Sequence, residues 1–130
     1  MPPFKLTVLT LLAAGLTAGA AIAQNAPLQG DAARGKTLYS ARCASCHVLN
    51  GPSFAGPRLI GVYGRRAGTS ADFKATPGLA ATGITWDEAS LDAFLAEPGK
   101  VAAGTSMYAN VPGAQDRADL IAYLKTLKEP

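Results

Sequence analysis

The chain has 130 residues, with 12 Lys and Arg against 9 Asp and Glu for a formal charge of +3, and it is 48 % hydrophobic. That length holds one domain, and because Ala and Gly supply much of the apolar fraction, the core the chain can bury by itself is modest. No basic run and no interleaving of basic with aromatic side chains is present, which sets nucleic-acid binding aside, and no internal repeat or low-complexity segment follows residue 23.

The first 23 residues read as an export signal. Lys5 is the lone charge, Leu6 to Ala23 carries none, and the stretch ends in the small-x-small pattern Ala21-Ile22-Ala23 that signal peptidase reads. The competing reading is a retained membrane anchor, but this uncharged stretch sits at the lower edge of spanning length and is diluted by Ala, Gly and Thr. The expectation is cleavage after Ala23, leaving one domain over 24–130 in the periplasm. Loss of Lys5 leaves 11 Lys and Arg against 9 Asp and Glu, a formal charge of +2.

After a lead-in over 24–29, Asp31 suits the positive N-terminal end of a helix dipole. The run to Cys43 carries Gly35, Leu38, Tyr39 and Arg42 at helical spacing. A glycine inside a helix costs up to about 1 kcal/mol relative to Ala, so Gly35 predicts a second helix crossing there at close approach.

That helix runs into Cys43-Ala44-Ser45-Cys46-His47. Cys-x-x-Cys-His is the signature of covalent c-type haem attachment. Two thiols must add across the vinyl groups on one edge of a haem, and residues i and i+3 of a helical turn lie on one face, about 5–6 Å apart at Cβ. The imidazole one residue later is then placed to bind iron. A thioredoxin-like pair has no need of the adjacent His, and a zinc site wants four Cys or His ligands where this chain has three. A plain disulfide is the remaining alternative, and the export signal agrees with it as well as with haem. A flat apolar macrocycle would also supply the missing core, so the haem-free chain is expected to fold poorly.

Residues 50–57 read as loop, with Gly51, Pro52, Gly56 and Pro57 as breakers. A metal-ligating His commonly donates its other ring N–H to a carbonyl, and the Pro57 carbonyl is a candidate acceptor. Arg65 and Arg66 follow in a tight loop over 61–68, and Arg65 is a candidate partner for a buried haem propionate. Thr85-Trp86-Asp87-Glu88 fits a capping box with Thr85 as N-cap, opening a helix through Leu91, Phe94 and Leu95 that Pro98 ends. Trp86 reads equally as core or as a propionate donor through its indole N–H. The stretch 99–113 is loop and holds Met107. A final helix begins at Asp116, with Leu120, Ile121, Leu124 and Leu127 on one face. The class is all-α: three to four helices, long loops and no strand.

Iron in an electron carrier takes two axial ligands. His47 is the only histidine, and once Met1 leaves with the leader Met107 is the only methionine. A Met usually fills core, but Met107 sits in a Gly/Thr-rich loop with no helical face, which favours ligation.

Taken together, these residues resemble the class I c-type cytochromes, specifically the bacterial homologues of mitochondrial cytochrome c. The likeness is carried by Gly30 to Lys36, the Cys-x-x-Cys-His motif, Gly56-Pro57-Arg58-Leu59, Gly61 to Arg65, Gly83-Ile84-Thr85-Trp86, Gly104-Thr105-Ser106-Met107 and Asp119 to Leu124. It implies a small cytochrome c fold around one haem c, with thioethers at Cys43 and Cys46, axial ligands His47 and Met107, and Pro57 accepting from His47. It also implies propionate partners at Arg65, Thr76 and Trp86, Thr105 near the methionine side, and a crossing of Gly35 and Tyr39 with Leu120 and Tyr123. Three departures stand out. Phe94 replaces a Tyr, Ala75 and Leu79 replace polar residues behind the haem, and of the basic ring around the haem edge Arg42 and Lys100 remain, so docking is expected to lean on apolar and small residues such as Ala102, Ala103 and Val111.

The expected function is a soluble periplasmic one-electron carrier, not an enzyme. It would be a monomer that docks transiently by its exposed haem edge, between a cytochrome bc complex or periplasmic dehydrogenase and a terminal oxidase or reductase. A fixed haem subunit of a larger dehydrogenase is the alternative. A peroxidase or gas-binding protein is a weaker one, since Met107 closes the sixth site and no second His is present.

Overall fold

The structure is a computed structural model that describes Met1, Pro3 and residues 26–130; the expected leader and its cleavage site lie outside the described residues. Five helices follow one another along the chain: α1 (Ala32–Arg42), α2 (Pro77–Ala81), α3 (Glu88–Ala96), α4 (Pro98–Val101) and α5 (Ala114–Thr126). The expected three to four becomes five because α2 and α4 are single short turns, each opened by a proline at its first position. Among the described residues no strand forms, only an isolated antiparallel bridge between Arg66 and Thr85, and no helix is long and apolar enough to cross a membrane.

Local chemistry sets the ends. Asp31 caps α1, its carboxylate accepting from the N–H groups of Ala33 at 2.8 Å and Arg34 at 3.1 Å. The expected cap at Thr85 is corrected: Asp87 caps α3 and forms the reciprocal box with Ser90. Thr85 is not free to cap because its segment is extended and paired, with the Trp86 N–H donating to the Arg65 carbonyl at 2.9 Å and the Gly64 N–H to the Trp86 carbonyl at 2.7 Å. The final helix begins at Ala114, two residues before Asp116.

The crossing of α1 and α5 is the main helix contact. A Cβ built on Gly35 would lie 1.9 Å from the Asp119 carbonyl oxygen, and one on Gly30 2.1 Å from that of Ala118. Tyr39 and Tyr123 meet edge to face at 5.3 Å beside it. Asp119 is 1 % exposed, and the crossing is arranged to satisfy it. Its carboxylate accepts from the Asp31 N–H at 2.8 Å and Gln115 Nε2 at 2.9 Å, and pairs with the Arg34 guanidinium. The Asp31 N–H holds the Asp119 carboxyl below its ordinary pKa against the opposing effect of burial, with Gln115 and Arg34 assisting. Helix α3 packs on α5 and is tied to it by Lys125 to Glu88 at 2.5 Å and Arg117 to Asp92 at 2.7 Å.

Two outcomes follow from this crossing. Gly35→Val leaves no room for its side chain and is expected to cost about 3 kcal/mol by overpacking, read as a clear drop in melting temperature. Because the folded Asp119 pKa is depressed, its stabilisation is complete above the unfolded value of about 3.9 and fades as pH falls through the folded value. Asp119→Asn is therefore expected to be less stable at neutral pH and to show a flatter loss of stability below about pH 4.

Candidate functional site

A cavity of about 400 Å³ runs between the helices and is mostly apolar. All nine residues singled out in the sequence as cofactor-binding line it: Cys43, Cys46, His47, Pro57, Arg65, Thr76, Trp86, Thr105 and Met107.

The wall from α1 is a continuation of its last turn. Cys43 is the C-cap of α1, and its carbonyl accepts from the N–H groups of Cys46 at 3.1 Å and His47 at 2.8 Å. Both cysteines are free, with Cys46 exposed and Cys43 half-buried, and burial pushes the Cys43 thiol above its ordinary pKa while Arg42 opposes the shift. The Tyr39 hydroxyl donates to the His47 carbonyl. His47 Nδ1 lies 2.8 Å from the Pro57 carbonyl oxygen. A carbonyl only accepts, so Nδ1 carries the proton and Nε2 keeps its lone pair for a metal. Gly56 permits this geometry, because a Cβ there would stand 2.7 Å from His47 Cε1 and 2.9 Å from Nδ1.

The wall from the 102–113 loop carries Met107. The Met107 N–H donates to Thr105 Oγ1 at 3.2 Å, so Thr105 holds the backbone that presents the thioether. The far end of the loop is clamped, with the Val111 N–H on the Leu95 carbonyl at 2.8 Å and Arg117 Nη1 on the carbonyls of Val111 at 3.0 Å and Pro112 at 2.8 Å.

The remaining lining residues divide by chemistry. Arg65 donates to the carbonyls of Ile60 at 3.1 Å and Arg58 at 3.2 Å, and burial draws its pKa down. Thr76 Oγ1 is buried and has no hydrogen-bond partner among the described residues. Trp86 packs on Phe94 at 5.1 Å, and Ala75 and Leu79 line the cavity without polar atoms on their side chains.

The donor set fits a haem. The cavity is lined mostly by apolar groups, and the same lining holds the imidazole of His47, the thioether of Met107, the thiols of Cys43 and Cys46 and the buried hydroxyl of Thr76. A zinc site fares worse: among the described residues no three His, Cys, Asp or Glu side chains gather. Four further contributors carried no sequence signal strong enough to name their roles: the Tyr39 hydroxyl, Gly56, Arg117 and Asp72, each defined by a contact remote in sequence or to backbone. Gly56→Ala would drive a methyl group into the His47 ring. It is expected to cost about 2 kcal/mol in the holoprotein by overpacking and to lower its yield, checked by thermal melts and by the haem-to-protein absorbance ratio.

Comparison with known proteins agrees with this geometry. The family model described as cytochrome c matches residues 32–128. The chain is 45 % identical over 100 residues to "Cytochrome c" of Tetrahymena pyriformis, covering 76 % of this chain and 91 % of that one. It is 39 % identical over 112 residues to "Cytochrome c2" of Pararhodospirillum photometricum, covering 76 % and 99 %. Among solved structures, cytochrome cH from Methylobacterium extorquens superposes with a TM-score of 0.70 at 39 % identity, over 75 % of this chain and 99 % of that one.

Proposed function

We propose, from the premise that this chain belongs to the cytochrome c family, that it is a periplasmic one-electron carrier working between a cytochrome bc complex or periplasmic dehydrogenase and a terminal oxidase or reductase. Members of the family are electron carriers with one covalently attached haem c, not enzymes. The observation that supports the reading of this chain is the convergence of His47 and Met107 on one apolar cavity with two free thiols at its rim.

When bound, the haem supplies a reversible one-electron iron couple. Cys43 and Cys46 would hold it through thioethers, and His47 through Nε2 and Met107 through its sulfur would ligate the iron. Arg65, Thr76 and Trp86 would hold the propionates, Thr76 through a buried hydroxyl that has no partner among the described residues. The apolar lining excludes water, so the charge change on electron transfer is met by fixed groups with little rearrangement.

Docking is expected at the cavity mouth, and its chemistry differs in one respect from the sequence expectation. Ala102 and Val111, which reading the sequence placed on that face with Ala103, are buried at 0 % and 5 % exposure. Each is turned inward by the loop's closure against α3 and α4. Ala103 is exposed but does not line the cavity, and the exposed residues of this loop that do are Ser106, Tyr108, Ala109 and Asn110. Of the two remaining basic groups, Lys100 is paired to Glu97 at 2.5 Å, and Arg42 lies 4.0 Å from Asp116. The positive field is weak, and the partner contact leans on small and aromatic side chains.

Met107→Ala is expected to abolish the near-infrared sulfur-to-iron band of the oxidised holoprotein and to lower its potential; a wild-type spectrum without that band contradicts the ligand assignment. Electron transfer to the physiological oxidase or reductase is expected to change only a few-fold between low and physiological ionic strength, because exposed charges are screened beyond roughly 8–10 Å. A fall of several tens-fold would require a docking field these residues do not supply.

A further inference from the structure

We propose that Asp72 is a positioning residue for His47, acting through the single peptide unit that joins Pro57 to Arg58 and raising the basicity of the His47 nitrogen that faces the iron. This rests on the reading of His47 as an axial ligand. The two ends of that peptide unit are both engaged. Its oxygen, on Pro57, accepts from His47 Nδ1 at 2.8 Å, and its N–H, on Arg58, donates to Asp72 Oδ2 at 3.0 Å. The residues are far apart in sequence, and the contact is made because the 69–73 loop folds back over the 53–58 loop.

The carboxylate is built into place. Ser53 and Ser70 donate their hydroxyls to it, one to each oxygen, and Arg58 Nε adds a contact at 3.2 Å to Oδ2. Burial alone would push the Asp72 carboxyl up, but the hydroxyls of Ser53 and Ser70 and the Arg58 N–H outweigh it and hold the pKa well below the usual carboxylate range. Asp72 is therefore anionic at neutral pH.

The peptide unit is planar and conjugated. An anion accepting from its N–H draws the amide toward the form with more negative charge on oxygen, and linked hydrogen bonds strengthen one another by about 10–30 % each. The Pro57 oxygen becomes a stronger acceptor for the His47 Nδ1 proton, and an imidazole whose proton is more strongly held by an acceptor is a more basic metal ligand. A more basic ligand favours ferric over ferrous iron. The chain Asp72, peptide 57–58, His47 thus biases the carrier toward lower potential, partly offsetting the rise a thioether ligand brings.

The test is proton NMR of the reduced, diamagnetic holoprotein together with its potential. Asp72→Asn keeps an oxygen for the Arg58 N–H but removes the charge. The His47 Nδ1 proton is expected to move upfield and exchange faster with solvent, and the potential to rise. Ser53→Ala keeps the carboxylate and removes one donor competing for Oδ2, so both readouts are expected to move the other way. A potential change alone would follow from lost charge acting through space, so the proton decides. An unchanged His47 Nδ1 proton in folded Asp72→Asn, or shifts of the same sign in both variants, overturns the proposal. Should Asp72→Asn not fold, a Ser53→Ala protein without a downfield shift overturns it equally. Failure of the ligand reading is separate: His47 ring protons would then lack large haem ring-current shifts in the wild type.

Discussion

A cavity of about 400 Å³ inside so short a chain is the constraint on which everything else turns. Protein interiors are normally close-packed, yet here apolar side chains such as Leu59, Val62, Phe94, Leu120 and Leu124 line the cavity instead of meeting one another across it. The protein chain by itself is thus a shell, and the core that makes the shell stable is the occupant. The helices are short, and the loops between them are long because they must reach around a flat object rather than close over a continuous core.

The shell stays in register because a few contacts fix its two sides. The crossing of α1 on α5 is close enough that Gly35 and Gly30 touch opposing backbone, and the satisfied Asp119 sits at its centre. α1 carries the two cysteines and His47 out of that crossing as its own terminal turn. α5 carries Arg117, which grips the end of the Met107 loop and reaches Asp92 of α3. One helix pair therefore sets the spacing between the two faces that bear the candidate axial ligands. Reversible electron transfer depends on that spacing changing little between oxidation states.

Most of the site was legible because covalent haem attachment imposes a local pattern. Cys43, Cys46 and His47 are neighbours in the sequence, His47 is the one histidine, and of the two methionines Met107 alone lies outside the expected leader, which leaves little choice for the candidate axial pair. Gly35 was legible for a related reason: a glycine in mid-helix carries a cost that only close packing offsets, and the structure supplies the opposing Asp119 backbone. What failed was competition between local and paired structure. Thr85 has the better capping sequence, but its backbone is engaged with the Arg65–Arg66 segment, so Asp87 takes the cap. The short helices α2 and α4 have too few residues to show a period. The Asp72 and Arg117 contacts join a side chain to backbone groups, the Arg58 N–H as donor and the Val111 carbonyl as acceptor, and backbone partners leave no trace in residue type. Ala102 and Val111 read as surface because loops usually are, yet this loop packs its small residues inward to seat Met107.

The central claim is that the chain is a shell whose core is the haem, and the most direct test is to make the same chain without it. Far-UV circular dichroism and thermal melting of the protein expressed in the absence of haem attachment should show little of the holoprotein's helix and no cooperative transition. A haem-free chain with near-holoprotein helix content and a cooperative melt within about 10 °C of the holoprotein, a shift of only about 1–2 kcal/mol for a domain of this size, would contradict it.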